Sequence, residues 1–166
     1  MFHYCVSLET APALPAETLE EGCYCNMFES CESLTQAPEL PAETLAYGCY
    51  KGMFECCESL ETAPELPAQT LAEYCYLEMF DYCTSLTQAP ELPAKTLVKG
   101  CYKEMFKDCS KLNAVTCLAT DGFSTSNCLY QWLDNTAAGS TGILTIDAGA
   151  SSNWVKGTNY PTNWTI

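Results

Sequence analysis

Cysteine is the most reactive side chain of this protein, and it recurs at a fixed spacing. The sequence of 166 residues contains thirteen cysteines. Nine of them fall into two columns with a period of 26 residues, namely Cys23, Cys49, Cys75 and Cys101, and Cys5, Cys31, Cys57, Cys83 and Cys109. Thiols in register can fill a core as small apolar groups, form disulfides or bind a metal.

The spacing of the cysteines favours the first of these roles. The chain has no C-x-x-C pair, and His3 is its only histidine, so we predict no metal site and no cofactor. Side chains stacked in one column point the same way rather than at each other, which disfavours bridges along a column. Cys117 and Cys128 lie outside both columns, and they are the candidates for a disulfide.

A column of carboxylates is the second group that could do chemistry. Glu39, Glu65 and Glu91 share one position of the repeat, and beside them runs a polar column of Gln36, Thr62 and Gln88. Carboxylates at the spacing of neighbouring strands, roughly 5 Å, repel one another. Such a column is either a solvated surface or a face kept for binding a cation or a basic partner.

The sequence offers no catalytic arrangement. A single histidine at position 3 cannot complete a Ser-His-Asp constellation with the recurring residues, and no glycine-rich phosphate-binding motif occurs. We therefore predict no catalytic residues and no enzymatic activity.

The charge of the chain is strongly negative and unevenly placed. The net charge is −14, and residues 1–94 hold sixteen acids and one lysine, whereas residues 95–166 hold five acids and six lysines. A nucleic-acid-binding protein needs a basic surface, so this composition argues against nucleic acid as a partner. Five lysines recur every four residues, and we interpret them as a row that offsets acidic neighbours: Lys95, Lys99, Lys103, Lys107 and Lys111.

These residues belong to a repeat that must build its own core. The unit C-x-S-L-x-x-A-P-E-L-P-A-x-T-L-x-x-G-C-Y-x-x-M-F-x-x occurs in four near-complete copies, and a fifth diverges after Leu112. A unit of this length cannot bury its apolar face alone, so neighbouring units are predicted to stack into a solenoid.

Each unit is predicted to contain a short strand and a short helix. Leu34, Ala37 and Leu40 alternate with polar residues, and the prolines of this segment keep the strand brief because proline cannot donate to a ladder. After Thr44, which can cap a helix, apolar residues recur at i, i+4 and i+8, which favours about three helical turns. The fold class predicted is α/β, with parallel strands along one side of the solenoid and helices along the other.

Residues 1–112 are predicted to form the repeat array, and residues 113–166 a C-terminal capping segment. All three tryptophans lie in this segment, and we interpret them as core of the cap rather than as a sugar-stacking site. "GILTIDA" predicts a strand and "CLYQWL" a short helical turn. The N-terminal end has no comparable cap, so further repeats or another chain are expected to cover it.

The repeat resembles the BspA-like (Treponema pallidum type) leucine-rich repeats, which are common in surface proteins of gut and oral Bacteroidetes. The residues that match are Leu34, Ala37, Leu40-Pro41, Cys49-Tyr50, Met53-Phe54 and Cys57. The unit of this chain is longer than that of the family, and it has alanine and cysteine where isoleucine is usual. The resemblance implies a right-handed leucine-rich repeat solenoid with a concave strand face, outside the cell or on its surface, often serving adhesion or recognition.

The leading hypothesis is a non-enzymatic recognition or adhesion module that presents its concave acidic strand face to a protein or glycan at a cell surface. The two polar columns on that face would supply the binding residues. No apolar stretch approaches the roughly 20 residues that cross a bilayer, so no membrane insertion is expected, and no signal-sequence pattern is visible at the start. A structural spacer within a larger cell-surface or appendage protein is the alternative, and a thiol-based metal or redox protein is a third.

Overall fold

In the computed structural model, which describes residues 1–166, the chain is mostly non-helical. Its regular elements are β1 (Glu91–Leu92), β2 (Ala114–Cys117), β3 (Gly142–Ile146), a 3-10 helix (Ala148–Asn153) and β4 (Trp164–Thr165). The four strands form one parallel sheet in the order β1-β2-β3-β4. No helix has the length and apolar character needed to cross a bilayer.

Each copy of the repeat forms one coil, and consecutive coils are paired in parallel. Coil 1 comprises residues 8–33, coil 2 residues 34–59, coil 3 residues 60–85 and coil 4 residues 86–111. Isolated parallel bridges join Thr10 to Gln36, Thr18 to Thr44 and Thr62 to Gln88. The predicted parallel pairing of one unit with the next is therefore confirmed at these positions.

The short helix predicted in each unit is wrong, and a run of overlapping turns stands in its place. We name this segment the turn ribbon; it covers residues 46–57 in coil 2. Gly48, Gly52 and Cys56 have φ angles of 57°, 57° and 58°, so every fourth residue is left-handed, which no α-helix accommodates. The apolar residues between them also recur every four residues, whereas an α-helix would rotate such a row by about 40° at each step.

Hydrogen bonds between coils lie mainly in the turn ribbons. In coil 2, the Cys49 N–H donates to the Ala46 carbonyl at 3.2 Å and closes a turn, whereas the next N–H, that of Tyr50, donates to Cys75 of coil 3 at 3.0 Å. The alternation gives five bonds of 2.8–3.1 Å from coil 2 to coil 3, donated by Gly48, Tyr50, Gly52, Phe54 and Cys56. The ribbon therefore satisfies its own backbone and joins neighbouring coils at the same time.

The extended segments contribute much less to this pairing. Residues 37–42 and 64–71 make no backbone–backbone hydrogen bond at all. Each segment contains two prolines, which lack the N–H group that a ladder requires. The regular strands are confined to residue 91 onward for this reason, and the longest of them, β2 and β3, contain no proline.

Aromatic columns run through the core along the repeat axis. The ring centroids of Phe28 and Phe54 are 5.6 Å apart, those of Phe54 and Phe80 5.5 Å, and the ring planes differ by 9° and 8°. The cysteines follow the same direction: Cys57 Sγ lies 3.2 Å from the Phe28 carbonyl oxygen, and Cys83 Sγ lies 3.1 Å from that of Phe54. The core role predicted for the cysteine columns is confirmed from Cys31 and Cys49 onward, whereas the first members, Cys5 and Cys23, are exposed.

The same backbone path continues past Leu112. Asn127, Gln131 and Asn135 again have positive φ angles, and the Phe106 N–H donates to the Trp132 carbonyl at 2.9 Å. "CLYQWL" thus forms turn ribbon rather than the predicted helical turn, whereas "GILTIDA" contains β3 as predicted. The three tryptophans are buried, as predicted for the core of the cap: Trp132, Trp154 and Trp164.

Candidate functional site

The strand face is the outward side of the extended segments, and it carries all the binding residues predicted from the sequence. Glu39, Glu65 and Glu91 are exposed on it, and the leucine that follows each of them is buried. This alternation follows from extended backbone, in which successive side chains point to opposite sides. The neighbouring polar column is exposed as well: Gln36, Thr62 and Gln88.

Shallow clefts between coils bring several of these residues together. A cleft of about 320 Å³ is lined by Glu39 and Glu65, with two prolines from each coil. A second cleft, of about 350 Å³, is lined by Gln36 and Thr62. The other two predicted residues lie further along the face, since Gln88 bridges to Thr62 and Glu91 pairs with Thr116 through β1 and β2.

The face extends beyond the predicted residues into coil 1. A cleft of about 490 Å³ adjoins the first and is lined by Glu17 and Glu39, and another, of about 330 Å³, is lined by Glu17 and Glu43. The sequence analysis missed Glu17 and Glu43, which share a column (position 17 plus 26) just after the second proline of each unit. The column of Glu39 had drawn attention because it recurs in three coils.

The linings of these clefts have a consistent chemistry. The four clefts together are lined by five glutamates, and no lysine, arginine or aromatic residue lines them: Glu17, Glu39, Glu43, Glu61 and Glu65. The prolines hold their backbone stiffly and present apolar rings. The unpaired backbone of residues 37–42 and 64–71 belongs to the same segments. The face can therefore offer acceptors for a cation, flat apolar surface and free main-chain groups.

The disulfide predicted between Cys117 and Cys128 is absent, and all thirteen cysteines are free thiols. Cys117 is fully buried on β2, and burial raises the pKa of its thiol to about 12. Cys128 Sγ lies 3.8 Å from the carbonyl oxygens of Gly122 and Phe123, so it contacts backbone acceptors rather than the other sulfur.

The buried thiol columns are poor nucleophiles. Burial raises the pKa of Cys49 to about 11 and that of Cys101 to about 12, so both stay protonated at neutral pH. No group of three or more histidine, cysteine, aspartate or glutamate side chains is placed to hold a metal ion. The cysteine columns therefore act in packing, with each thiol donating to a carbonyl of the preceding coil.

A second acidic column, missed by the sequence analysis, lies on the turn ribbons. We name it the ribbon column; its members are 26 residues apart and comprise His3, Glu29, Glu55, Asp81 and Lys107. His3 Nε2 lies 3.2 Å from Glu29 Oε1, and Lys107 Nζ lies 3.4 Å from Asp81 Oδ2. The change of residue type along the column concealed it in the sequence, although the spacing would have revealed it.

Burial perturbs two carboxyl groups of the ribbon column. Burial is the largest cause that raises the pKa of Glu55 to about 7, and the charges of Glu29, Glu78 and Asp81 raise it further. Burial likewise raises the pKa of Asp81 to about 6, although the ammonium group of Lys107 opposes the rise. These groups can hold protons near neutral pH, which ordinary surface carboxylates cannot.

The lysine row offsets acidic charge on the preceding coil. Lys107 Nζ reaches Asp81, as described above, and Lys99 Nζ lies 4.0 Å from Glu73 Oε2. Both acids lie one period before their lysine. The interpretation of this row as a charge offset is therefore confirmed at these two positions.

The strand face and the ribbon column differ in what they can do. The strand face is open and exposed, so it suits a macromolecular partner. The ribbon column is partly buried and already paired at both ends, so it suits a structural role. Comparisons of the chain with protein-family models, with curated proteins and with solved structures find no match.

Proposed function

We propose that this protein is a non-enzymatic recognition module, built as a right-handed leucine-rich repeat solenoid, that binds a protein partner through the strand face. The adjoining clefts with their prolines and five glutamates carry this proposal. The solenoid is supported by coils that pair in parallel one period apart and by aromatic columns along the repeat axis. Display outside the cell or on its surface is part of the proposal and rests on the resemblance of the repeat.

The partner that fits best is an extended, cationic protein segment. Lysine or arginine side chains would pair with Glu39 and Glu65, and their apolar stems would lie on the proline rings between them. The unpaired backbone of residues 37–42 and 64–71 can bond to the main chain of an extended segment. A glycan fits less well, because no aromatic ring lines the clefts to stack on a sugar.

Binding of a fluorescein-labelled peptide of alternating lysine and proline tests this function. The site variant carries Glu39→Gln, Glu65→Gln and Glu91→Gln, and the control variant removes three exposed acids elsewhere: Glu21→Gln, Glu32→Gln and Glu58→Gln. Three exposed ion pairs of roughly 0.5 kcal/mol each predict binding about tenfold weaker in the site variant. The control should change the dissociation constant much less, since its charges are screened from the peptide at physiological salt.

Three other outcomes would count against the proposal in different ways. Equal weakening in both triple variants would show that the peptide senses only the net charge. No affinity for the peptide, together with binding to neutral oligosaccharides that the site variant loses, would point to a glycan partner. No binding to either probe at low salt, with all variants folded, would favour the structural spacer.

A further inference from the structure

The ribbon column has cations at its two ends and none in its middle. His3 accompanies Glu29 at one end, and Lys107 accompanies Asp81 at the other. Glu55 stands between these two acids and makes no salt bridge, because Lys51, the basic residue nearest to it in sequence, lies within 4.0 Å of no carboxylate. The central carboxyl group is therefore the least compensated of the column.

One buried oxygen beside Glu55 has no partner. Asp81 is 8% exposed, and its Oδ2 accepts from Lys107 Nζ at 3.4 Å. Its other carboxylate oxygen, Oδ1, is buried and has no hydrogen-bond partner. An unpaired buried acceptor costs roughly 1–3 kcal/mol, so a donor is expected there. The carboxyl group one coil earlier in the same column is that of Glu55.

We propose that the ribbon column binds a proton at Glu55, and that this proton, shared with Asp81 Oδ1, joins coil 2 to coil 3 in a pH-dependent way. A proton from solvent adds to the Glu55 carboxylate, and the resulting O–H donates to Asp81 Oδ1. No covalent bond breaks, and no group is oxidised or reduced. The array tightens as the pH falls and loosens as the proton leaves.

The surroundings of Glu55 favour a proton over a metal ion as the occupant. The charged and titratable groups that face it are three acids, one thiol and one ammonium group: Glu29, Glu78, Asp81, Cys56 and Lys51. The acids of the column follow one another along the repeat axis, and no three side chains are placed to hold a metal. A proton needs only two carboxyl groups side by side.

Room for this contact is provided by Gly52. A Cβ atom at Gly52 would lie 2.7 Å from Asn26 Oδ1 and 3.2 Å from Glu55 Oε2, so a side chain at this position would displace both groups. The Asn26 amide in turn donates to Glu29 Oε2. The ribbon therefore keeps Glu55 and its neighbours packed together in the space that a larger residue would take.

The sign of the pH dependence follows from the direction of the pKa shifts. The pKa of Glu55 is raised to about 7 and that of Asp81 to about 6, chiefly by burial. A carboxyl group whose pKa is raised on folding stabilises the fold below its unfolded pKa, near 4, and loses that contribution as the pH rises through the folded pKa. Stability is therefore expected to fall between about pH 5 and pH 8.

Urea unfolding of the intact protein at these two pH values tests the proposal. The unfolding equilibrium constant of the wild type should be about tenfold larger or more at pH 8 than at pH 5, after allowance for the partial exposure of Glu55. Glu55→Gln keeps a donor for Asp81 without a titratable proton, so it should unfold less readily than the wild type at pH 8 and depend much less on pH. Glu58→Gln, an exposed acid three residues away, should keep the wild-type dependence.

A direct titration keeps the proposal falsifiable if Glu55→Gln folds poorly. Carbon-13 NMR of the wild-type side-chain carboxyl groups should show Glu55 titrating with a pKa of about 7. A Glu55 midpoint below about pH 5, in the ordinary range of an exposed glutamate, would overturn the proposal. So would a wild-type pH dependence that Glu55→Gln leaves unchanged. Neither readout involves the strand face, so failure here leaves the proposed recognition function untouched.

Discussion

Replacing Phe54 by alanine is expected to lower the free energy of unfolding by about 3–5 kcal/mol. Phe54 is fully buried, and it is stacked between Phe28 and Phe80 at centroid distances of 5.6 and 5.5 Å. Removing the ring deletes two stacking contacts and leaves a cavity across two coil boundaries. Domains are typically stable by only 5–15 kcal/mol, so the variant should lose a large part of its stability.

Urea unfolding, followed by circular dichroism, measures this loss. Tyr47→Ala is the control, since it also removes an aromatic ring but from a side chain that is 51% exposed. The control should cost about 1 kcal/mol or less. A loss below about 1 kcal/mol for Phe54→Ala would mean that the aromatic column does not hold the coils together.

Gly122→Ala should be the second large effect, because the backbone of coil 4 passes directly over this residue. A Cβ atom at Gly122 would lie 2.2 Å from the carbonyl oxygen and 2.7 Å from the nitrogen of Leu97, and the φ angle is +84°. Backbone atoms cannot rotate out of the way as a side-chain end can. The pairing of Leu97 N–H with the Asp121 carbonyl, 3.0 Å long, would have to open. We expect a loss of about 3 kcal/mol or more, from backbone strain together with this broken contact.

Gly139→Ala is a matched control for this substitution. Its φ angle of +73° is also left-handed, but nothing lies within 4 Å of the added Cβ atom. It should therefore show the conformational cost alone, about 1 kcal/mol. Equal losses of melting temperature in the two variants would contradict the close approach of Leu97 to Gly122.

The repeat itself could be predicted from the sequence, because its columns coincide with the buried positions. Leu34, Leu60 and Leu86 are all fully buried, as are Phe28 and Phe54. Side chains in register must lie in the same layer of a stacked array, so periodicity is enough to identify the core. The exposed glutamates of the strand face followed by the same reasoning, from alternation along an extended segment.

The turn ribbon could not be predicted from the usual helical rule. Residues at i, i+4 and i+8 fit a helix within a short window, and Thr44 is a good cap, so the pattern favoured a helix. The distinguishing signal was the strict spacing of four, together with Gly48 and Gly52 at the left-handed positions. In coil 3 these positions are held by Tyr74 and Glu78, which concealed the glycine signal in any single copy.

Two further features depended on contacts that spacing does not reveal. The Cys117–Cys128 disulfide was predicted because both residues lie outside the columns, but the path of the chain past Leu112 keeps both thiols beside backbone groups. The ribbon column was missed because a histidine, two glutamates, an aspartate and a lysine do not look like a column of one residue type. Its importance comes from the burial of Glu55 and Asp81, which only the packing of the ribbons determines.

Amide hydrogen exchange, with the protein free and saturated with the lysine–proline peptide, tests the central claim most directly. That claim is that the ribbons hold the coils together while the strand face is left free to bind. In the free protein, the amides of Tyr50, Gly52 and Phe54 should exchange slowly, and the non-proline amides of residues 37–42 and 64–71 should exchange fast. Bound peptide should slow exchange in these two segments and leave the ribbon amides unchanged. Slow exchange in the extended segments of the free protein, or peptide protection confined to the ribbons, would contradict the account.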